Sequence, residues 1–345
     1  MSRWVVVLAG GIGSRFWPLS TPDRPKQLLP LVSGQSLLRD TLDRVRPLAD
    51  AAHTLILTNA SLVPAIAALA PEIPAGNLIA EPRPAGTAAA LAWAAHHIAT
   101  VDGPSATMLS VHADWAVADA DGFRRTLTRA AEAAEQHRSL VTVGVVPSRP
   151  DPGFGYVQPA AEISPGVRRV ARFVEKPDLA RATQMCADGY LWNSGIFVWR
   201  VDDYLAEVHA HTPEVAPALD AHGDDLAAFF ARVATPISVD VGVMERSARV
   251  LVLPGDFGWD DIGVWGALRR VRALDAAGNA LGGDVYAVEA HDNVVLAERG
   301  TVVLYGVRDL VVVTCDGMTV VTTVDKSHTL KDLLAQLPPA VRDRP

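Results

Sequence analysis

The first 150 residues alternate short, uninterrupted apolar runs with stretches whose apolar positions return every three or four residues. Runs at 5–9, 54–58, 78–80, 107–111 and 140–146, rich in Val, Ile and Leu, predict strands buried on both faces. Between them, Leu37, Leu38, Thr41, Leu42 and Val45 fall on one face of a helix, with Ser36 placed to cap it and Pro47 to stop it. Residues 87–99 and 122–134 also read as helical. Repeated βα units predict an α/β fold: a Rossmann-like mixed, mainly parallel sheet with helices on both faces. Ligands of such sheets gather beyond the carboxyl ends of the strands.

From 151 to 265 the excursions lengthen, with strands predicted at 167–174, 191–199 and 250–253. After Leu274 a polar turn, Asp275-Ala276-Ala277-Gly278-Asn279, opens a series of short β runs at 285–288, 293–296, 301–305, 310–314 and 318–322. An amphipathic helix at 328–337 closes the series. The expected organisation is a main domain over 1–274 and a small β-rich domain over 275–345, of partial β-helix character.

Composition narrows the function classes. The 345 residues are 49% hydrophobic, yet no apolar run approaches the ~20 residues that cross a bilayer, so no membrane association is expected. Residues 5–9 are too short for the apolar core of a signal peptide and run on to Arg15, which predicts a cytoplasmic protein. A net charge of −8, from 31 basic and 39 acidic residues, argues against nucleic acid as a partner. Cys186 and Cys315 read as buried thiols and His96-His97 as part of a helix face.

Candidate chemistry starts where the first strand breaks into Gly10-Gly11-Ile12-Gly13-Ser14-Arg15. Glycines let backbone N–H groups close around phosphate oxygens, and Arg15 and Lys26 add positive charge. The dinucleotide fingerprint fails here because Phe16 stands where its third glycine belongs, and no Gly-Lys pair completes a P-loop. Asp114, just past the strand at 107–111, is placed to hold Mg²⁺ between phosphates, though by itself it also reads as a turn aspartate. Asp260 or Asp261 offers a second carboxylate, and either would cap a helix predicted at 262–271. Glu175 and Lys176 end a strand with side chains expected on opposite sides, or else form a surface ion pair. Asn193, next to Ser194-Gly195, and Gly153-Phe154-Gly155-Tyr156 suit close approach of a polar ligand.

Taken in order, residues 10–30, Phe173-Val174-Glu175-Lys176-Pro177, Asn193-Ser194-Gly195-Ile196-Phe197, 238–245 and 259–265 resemble the sugar-nucleotide pyrophosphorylases, over essentially the whole chain. The resemblance implies transfer of GMP from GTP to a sugar 1-phosphate with release of pyrophosphate, by in-line attack on the α-phosphorus. By similarity, Gly10, Gly11, Gly13, Ser14 and Arg15 would hold the triphosphate, and Lys26 would neutralise charge at the α-phosphate. Asp114 and Asp261 would bind Mg²⁺. Gly155, Glu175 and Asn193 would hold the sugar and Lys176 its phosphate, while Glu81, Gly86 and Thr87 would lie near base and ribose. The resemblance also implies a homodimer through the β appendage. His112-Ala113-Asp114-Trp115 departs from the family's P-A-D-H, and 81–90 from its E-P-x-x-R-N-T-A-P-A. A heptose or another hexose as acceptor, a thymidylyl or uridylyl donor, and a non-catalytic sugar-nucleotide sensor therefore stay open.

Overall fold

The computed structural model describes residues 2–11 and 13–342, without the side chain of Ser14. Strands are numbered along the chain: β1 (Arg3–Leu8), β2 (Thr54–Asn59), β3 (Leu78–Glu81), β4 (Thr107–His112), β5 (Ala116–Val117), β6 (Leu140–Val145), β7 (Tyr156–Ser164) and β8 (Val167–Val174). They continue as β9 (Leu191–Arg200), β10 (Val250–Gly255), β11 (Trp259–Asp260), β12 (Ala280–Val288), β13 (Val294–Tyr305), β14 (Leu310–Cys315) and β15 (Met318–Thr323). Contacts divide the chain into two compact units. The first holds Met1–Gly10, Asp43–His112 and Asp119–Phe257; the second holds Gly11–Leu42, Ala113–Ala118 and Gly258–Pro345.

The first unit is built on a nine-stranded mixed sheet in the order β3-β2-β1-β4-β9-β6-β10-β8-β7. β1, β2, β3 and β4 run parallel, as do β6 and β10, whereas β9 runs antiparallel between β4 and β6. Val5, Val6 and Val7 are wholly buried, which is why β1 reads as an unbroken apolar run. The chain steps outward from β1 through β2 to β3 and then returns to β4 on the other flank of β1. That reversal is the switch point at which open α/β sheets bind ligands.

The Ala-rich helix Thr87–Asp102 buries every residue from Ala88 to Ala95. Small side chains suit a helix packed on all sides. The helix Leu37–Val45 starts where expected, with the Ser36 hydroxyl accepting from Arg39 N at 3.2 Å. His96 faces Asp224 at 3.0 Å and His97 stacks on Trp93, so this pair does decorate a helix face.

The second unit contains a β5–β11 ribbon and a four-stranded sheet, β12-β13-β14-β15. β12, β13 and β14 are parallel and β15 is antiparallel to β14. Two fully buried asparagines pin successive coils. Asn279 Oδ1 accepts from both Asn293 N and Nδ2 at 2.9 Å, and Asn293 Oδ1 accepts from Leu310 N at 2.9 Å.

Three sequence expectations change here. The runs at 293–296 and 301–305 form one strand, β13, whose early residues pair with both neighbours and whose later residues pair with β12 alone. No helix spans 262–271: Ile262 takes a left-handed φ of 45°, and only the short turns Trp265–Ala267 and Leu268–Val271 are helical. The closing helix is also broken, into Lys326–Thr329 and Leu330–Leu334 and then, past Pro338, Pro339–Arg342. Pro338 cannot donate to a continuing helix.

Candidate active site

In the second unit, strand register explains why Asp114 and Asp261, far apart in sequence, come to the same end of one ribbon. Asp260 pairs with Ala116 and Trp259 with Val117 in an antiparallel ribbon, which Ala118 N extends by donating to Gly258 O at 3.0 Å. Trp115 and Trp259 pack edge to face across it, centroids 5.8 Å apart. Past Asp260 the chain reaches Asp261 at the same end of the ribbon at which Asp114 precedes Ala116.

Lys26 closes this end. Its side chain is only 7% exposed, and its ammonium donates to Asp114 Oδ2 at 3.0 Å and to the Asp261 carbonyl at 2.5 Å. The left-handed turn at buried Ile262 follows immediately, and for a β-branched residue such a φ is strained. Asp260 itself is structural: it accepts from Ile262 N at 2.9 Å and pairs with Arg270 at 2.6 Å. It caps a turn rather than the expected helix.

Gly13 has a steric reason to be glycine. Its φ is +65°, and a Cβ there would sit 2.3 Å from the Lys26 Cβ. Gly10 and Gly11 have open space where a Cβ would lie, and Asn59 Nδ2 donates to Gly10 O at 3.3 Å within the first unit. Arg15 is exposed, and its NH1 is 3.6 Å from the place of a Gly263 Cβ, which in turn lies 3.0 Å from Asp261 Oδ2. The Ser14 side chain, an expected phosphate contact, lies outside the described residues.

Asp114 brings its carboxylate and Asp261 its carbonyl to one ribbon end, around the Lys26 ammonium, and carboxylate and carbonyl oxygens are donors that a hard cation takes. Mg²⁺ commonly takes one or two protein carboxylates and fills its octahedron with water and phosphate oxygens. Among the described residues no larger cluster of acidic, His or Cys side chains gathers to form a closed metal cage.

The first unit assembles a different set. Tyr156 on β7 pairs with Val174 on β8 and with Trp192 on β9, so Gly155 is flanked by Glu175 on one side and Asn193 on the other. Asn193 N donates to Gly155 O at 2.8 Å, and a Cβ on Gly155 would stand 2.9 Å from Glu175 Oε2. Glycine leaves the space between carboxylate and amide open. The expectation that Glu175 and Lys176 point apart is not met, because Lys176, at φ 38°, turns its ammonium back to Glu175 Oε1 at 2.6 Å.

Glu81 ends β3, half-buried, and burial pushes its carboxyl up to about 7 from 4.5. Gly86, at φ 84°, lets the backbone of Ile237 approach, since a Cβ would fall 2.2 Å from the Ile237 carbonyl. Thr87 opens the Ala-rich helix, its hydroxyl accepting from Val239 N at 2.9 Å. One residue further, Asp240 Oδ1 accepts from Asn193 Nδ2 at 2.7 Å. Asp240 was given no role from sequence. The run Ser238-Val239-Asp240 carried the available signal, but only the fold brings it to Asn193.

The second unit thus carries a charged set around Lys26, Asp114 and Asp261, and the first a polar set around Gly155, Glu175 and Asn193. The chain belongs to the nucleotidyl transferase family, whose description matches residues 4–278. It is 36% identical to the mannose-1-phosphate guanylyltransferase of Escherichia coli (strain K12), over 96% of this chain and 73% of that protein. It is also 36% identical to the xanthan biosynthesis protein XanB of Xanthomonas campestris pv. campestris, over 98% of this chain and 73% of that one. A crystal structure from Thermus thermophilus, described as a mannose-1-phosphate geranyltransferase, matches with TM-score 0.90 and 34% identity. It covers 97% of this chain and 99% of that one.

Proposed function

We propose that this protein is an Mg²⁺-dependent mannose-1-phosphate guanylyltransferase that converts GTP and α-D-mannose 1-phosphate to GDP-mannose and pyrophosphate. The observation that carries the reading is the Lys26 ammonium seated on Asp114 and on the Asp261 carbonyl. The choice of mannose and guanine draws on the name of the Escherichia coli relative.

A phosphate oxygen of the sugar phosphate attacks the α-phosphorus. The bond from the α-phosphorus to its bridging oxygen breaks, and pyrophosphate leaves with the electron pair. Nothing in this exchange needs a covalent enzyme intermediate, so the protein's task is positioning and charge stabilisation. Lys26 neutralises charge on the reacting phosphate, while Arg15 and the backbone of Gly10, Gly11 and Gly13 hold the rest of the triphosphate. Asp114 and Asp261 would hold Mg²⁺, which supplies further charge neutralisation to the phosphates when bound. Gly155, Glu175 and Asn193 take the sugar, and Lys176 its phosphate once drawn off Glu175. Glu81 reads guanine, because an ionised carboxylate accepts from the paired N1–H and N2–H donors that adenine lacks. Gly86 and Thr87 support the base and ribose.

Action in the cytoplasm as a homodimer, with residues 275–345 as a discrete appendage, belongs to the same proposal. No helix among the described residues is long and apolar enough to cross a membrane. A matrix of GTP, ATP, UTP and dTTP against mannose, glucose and heptose 1-phosphates, read by pyrophosphate release, tests the reading. Turnover confined to GTP with mannose 1-phosphate is expected. Nucleotide binding without any turnover would overturn it in favour of a sensor.

A further inference from the structure

Residues 237–242 form a strap within the first unit. Its carbonyl at Ile237 accepts from Ala88 N at 3.1 Å, its amide at Val239 donates to the Thr87 hydroxyl, and its carboxylate at Asp240 holds the Asn193 amide. The strap then enters the π-helical turn Asp240–Met244, closed by Glu245 N donating to Asp240 O at 2.8 Å and anchored where Thr212 Oγ1 donates to Gly242 O at 2.8 Å. π-turns are rare and concentrate at functional sites. None of the steps assigned above uses Asp240.

An asparagine amide has a donor end and an acceptor end of nearly the same shape, so an unanchored one can offer either to a ligand. An ionised carboxylate only accepts. At 2.7 Å from Nδ2, Asp240 therefore takes one of that nitrogen's two hydrogens in a charge-assisted bond and fixes which end of the amide faces the protein. Among the described residues Asn193 Oδ1 meets only the long 3.4 Å contact from Gly195 N, which leaves a lone pair for a ligand. Across Gly155 stands Glu175 Oε2, another acceptor. Burial, with Asp240 and then Glu175 nearby, also raises the Glu245 carboxyl, which places a third carboxyl in the same neighbourhood.

We infer that Asp240 is a positioning residue for the sugar: it fixes the Asn193 amide with its oxygen toward the ligand, so that the pocket reads hydroxyl donors on an uncharged sugar. The inference rests on the proposed transferase reading. It predicts that Asp240 acts through Asn193 and on the sugar substrate only.

The test is a double-mutant cycle on the full chain with Mg²⁺, using Asp240→Ala, Asn193→Ala and the pair, plus Asp240→Asn. Pyrophosphate release is measured while mannose 1-phosphate and GTP are varied in turn, with thermal melts alongside. Loss of one oriented hydrogen bond should raise KM for mannose 1-phosphate about tenfold in Asp240→Ala, with KM for GTP within about twofold. Asp240→Asn, whose side-chain oxygen still accepts from Asn193 Nδ2, should recover most of the loss. The double variant should be no worse than Asn193→Ala. Additive losses in the pair, equal rises in both KM values, or no change in Asp240→Ala would overturn the inference while wild-type turnover upholds the function. If Asp240→Ala fails to fold, Asp240→Leu, which keeps the volume but has no acceptor, should show the same KM split, and equal rises in both KM values there would overturn the inference. A wild-type protein silent with every sugar phosphate would overturn the transferase reading, and this inference with it.

Discussion

The Lys26 ammonium lies 3.0 Å from Asp114 Oδ2 with its side chain almost fully buried, while the Asp114 side chain stays 36% exposed. A buried charge is tolerated when paired and hydrogen-bonded, and this one is held on its second side by the Asp261 carbonyl. The lysine is thus fixed in place before any phosphate arrives. Lys26→Met should lower kcat by about 10²–10³-fold, measured by pyrophosphate release. Lys26→Arg should not restore it, because a planar guanidinium cannot occupy the same point between carboxylate and carbonyl.

Asp114→Asn and Asp261→Asn should each raise the Mg²⁺ concentration needed for half-maximal turnover. Both side chains would ligate the same ion, so their effects should not add. A titration of rate against Mg²⁺ for the single and double variants checks this. Unchanged Mg²⁺ dependence in both singles would remove the metal role.

Glu81 links pH to two measurements. The folded chain keeps this carboxyl protonated up to about pH 7, whereas the ordinary value is 4.5. The stability its neutral form contributes is therefore complete below the ordinary value and is lost as pH rises through about 7. Glu81→Gln should match wild type in melting temperature in acid and exceed it at pH 8. Guanine recognition runs the other way, since it needs the ionised form. GTP affinity should rise between pH 6 and 8 in wild type and stay flat in Glu81→Gln.

Gly13→Ala tests the opening loop. A left-handed φ alone costs a non-glycine residue about 1–2 kcal/mol, and the new methyl would also meet Lys26. A lower melting temperature should come with a fall in kcat. Gly11→Ala, with open space around it, should leave stability nearly unchanged.

Much of the fold was legible because β1, β2, β4 and β6 are buried on both faces and carry uninterrupted apolar letters. The reading failed where local conformation overrides pattern. Ile262 continues an apolar periodicity, yet its left-handed turn, with Ile262 N donating to Asp260, ends it. The runs at 293–296 and 301–305 read as separate, but the polar residues between them are carried as a bulge against β12, with Gly300 at φ 77°, inside one strand. At the site, residue types and order pointed to Lys26, Asp114 and Asp261. The ribbon register that brings the two aspartates to one end, and the contact of Asp240 with Asn193, depend on pairings between residues 47 or more positions apart.

The two asparagine rungs of the second unit bear on how far its coil can grow. A stack of parallel strands exposes at its open end the same unsatisfied edge that each new coil would cover. Here Asn293 Oδ1 accepts from the backbone of Leu310 instead of from a third asparagine, and β15 then runs against β14. The reversal removes the template for another parallel coil, so the parallel stack of the second unit terminates itself at β14.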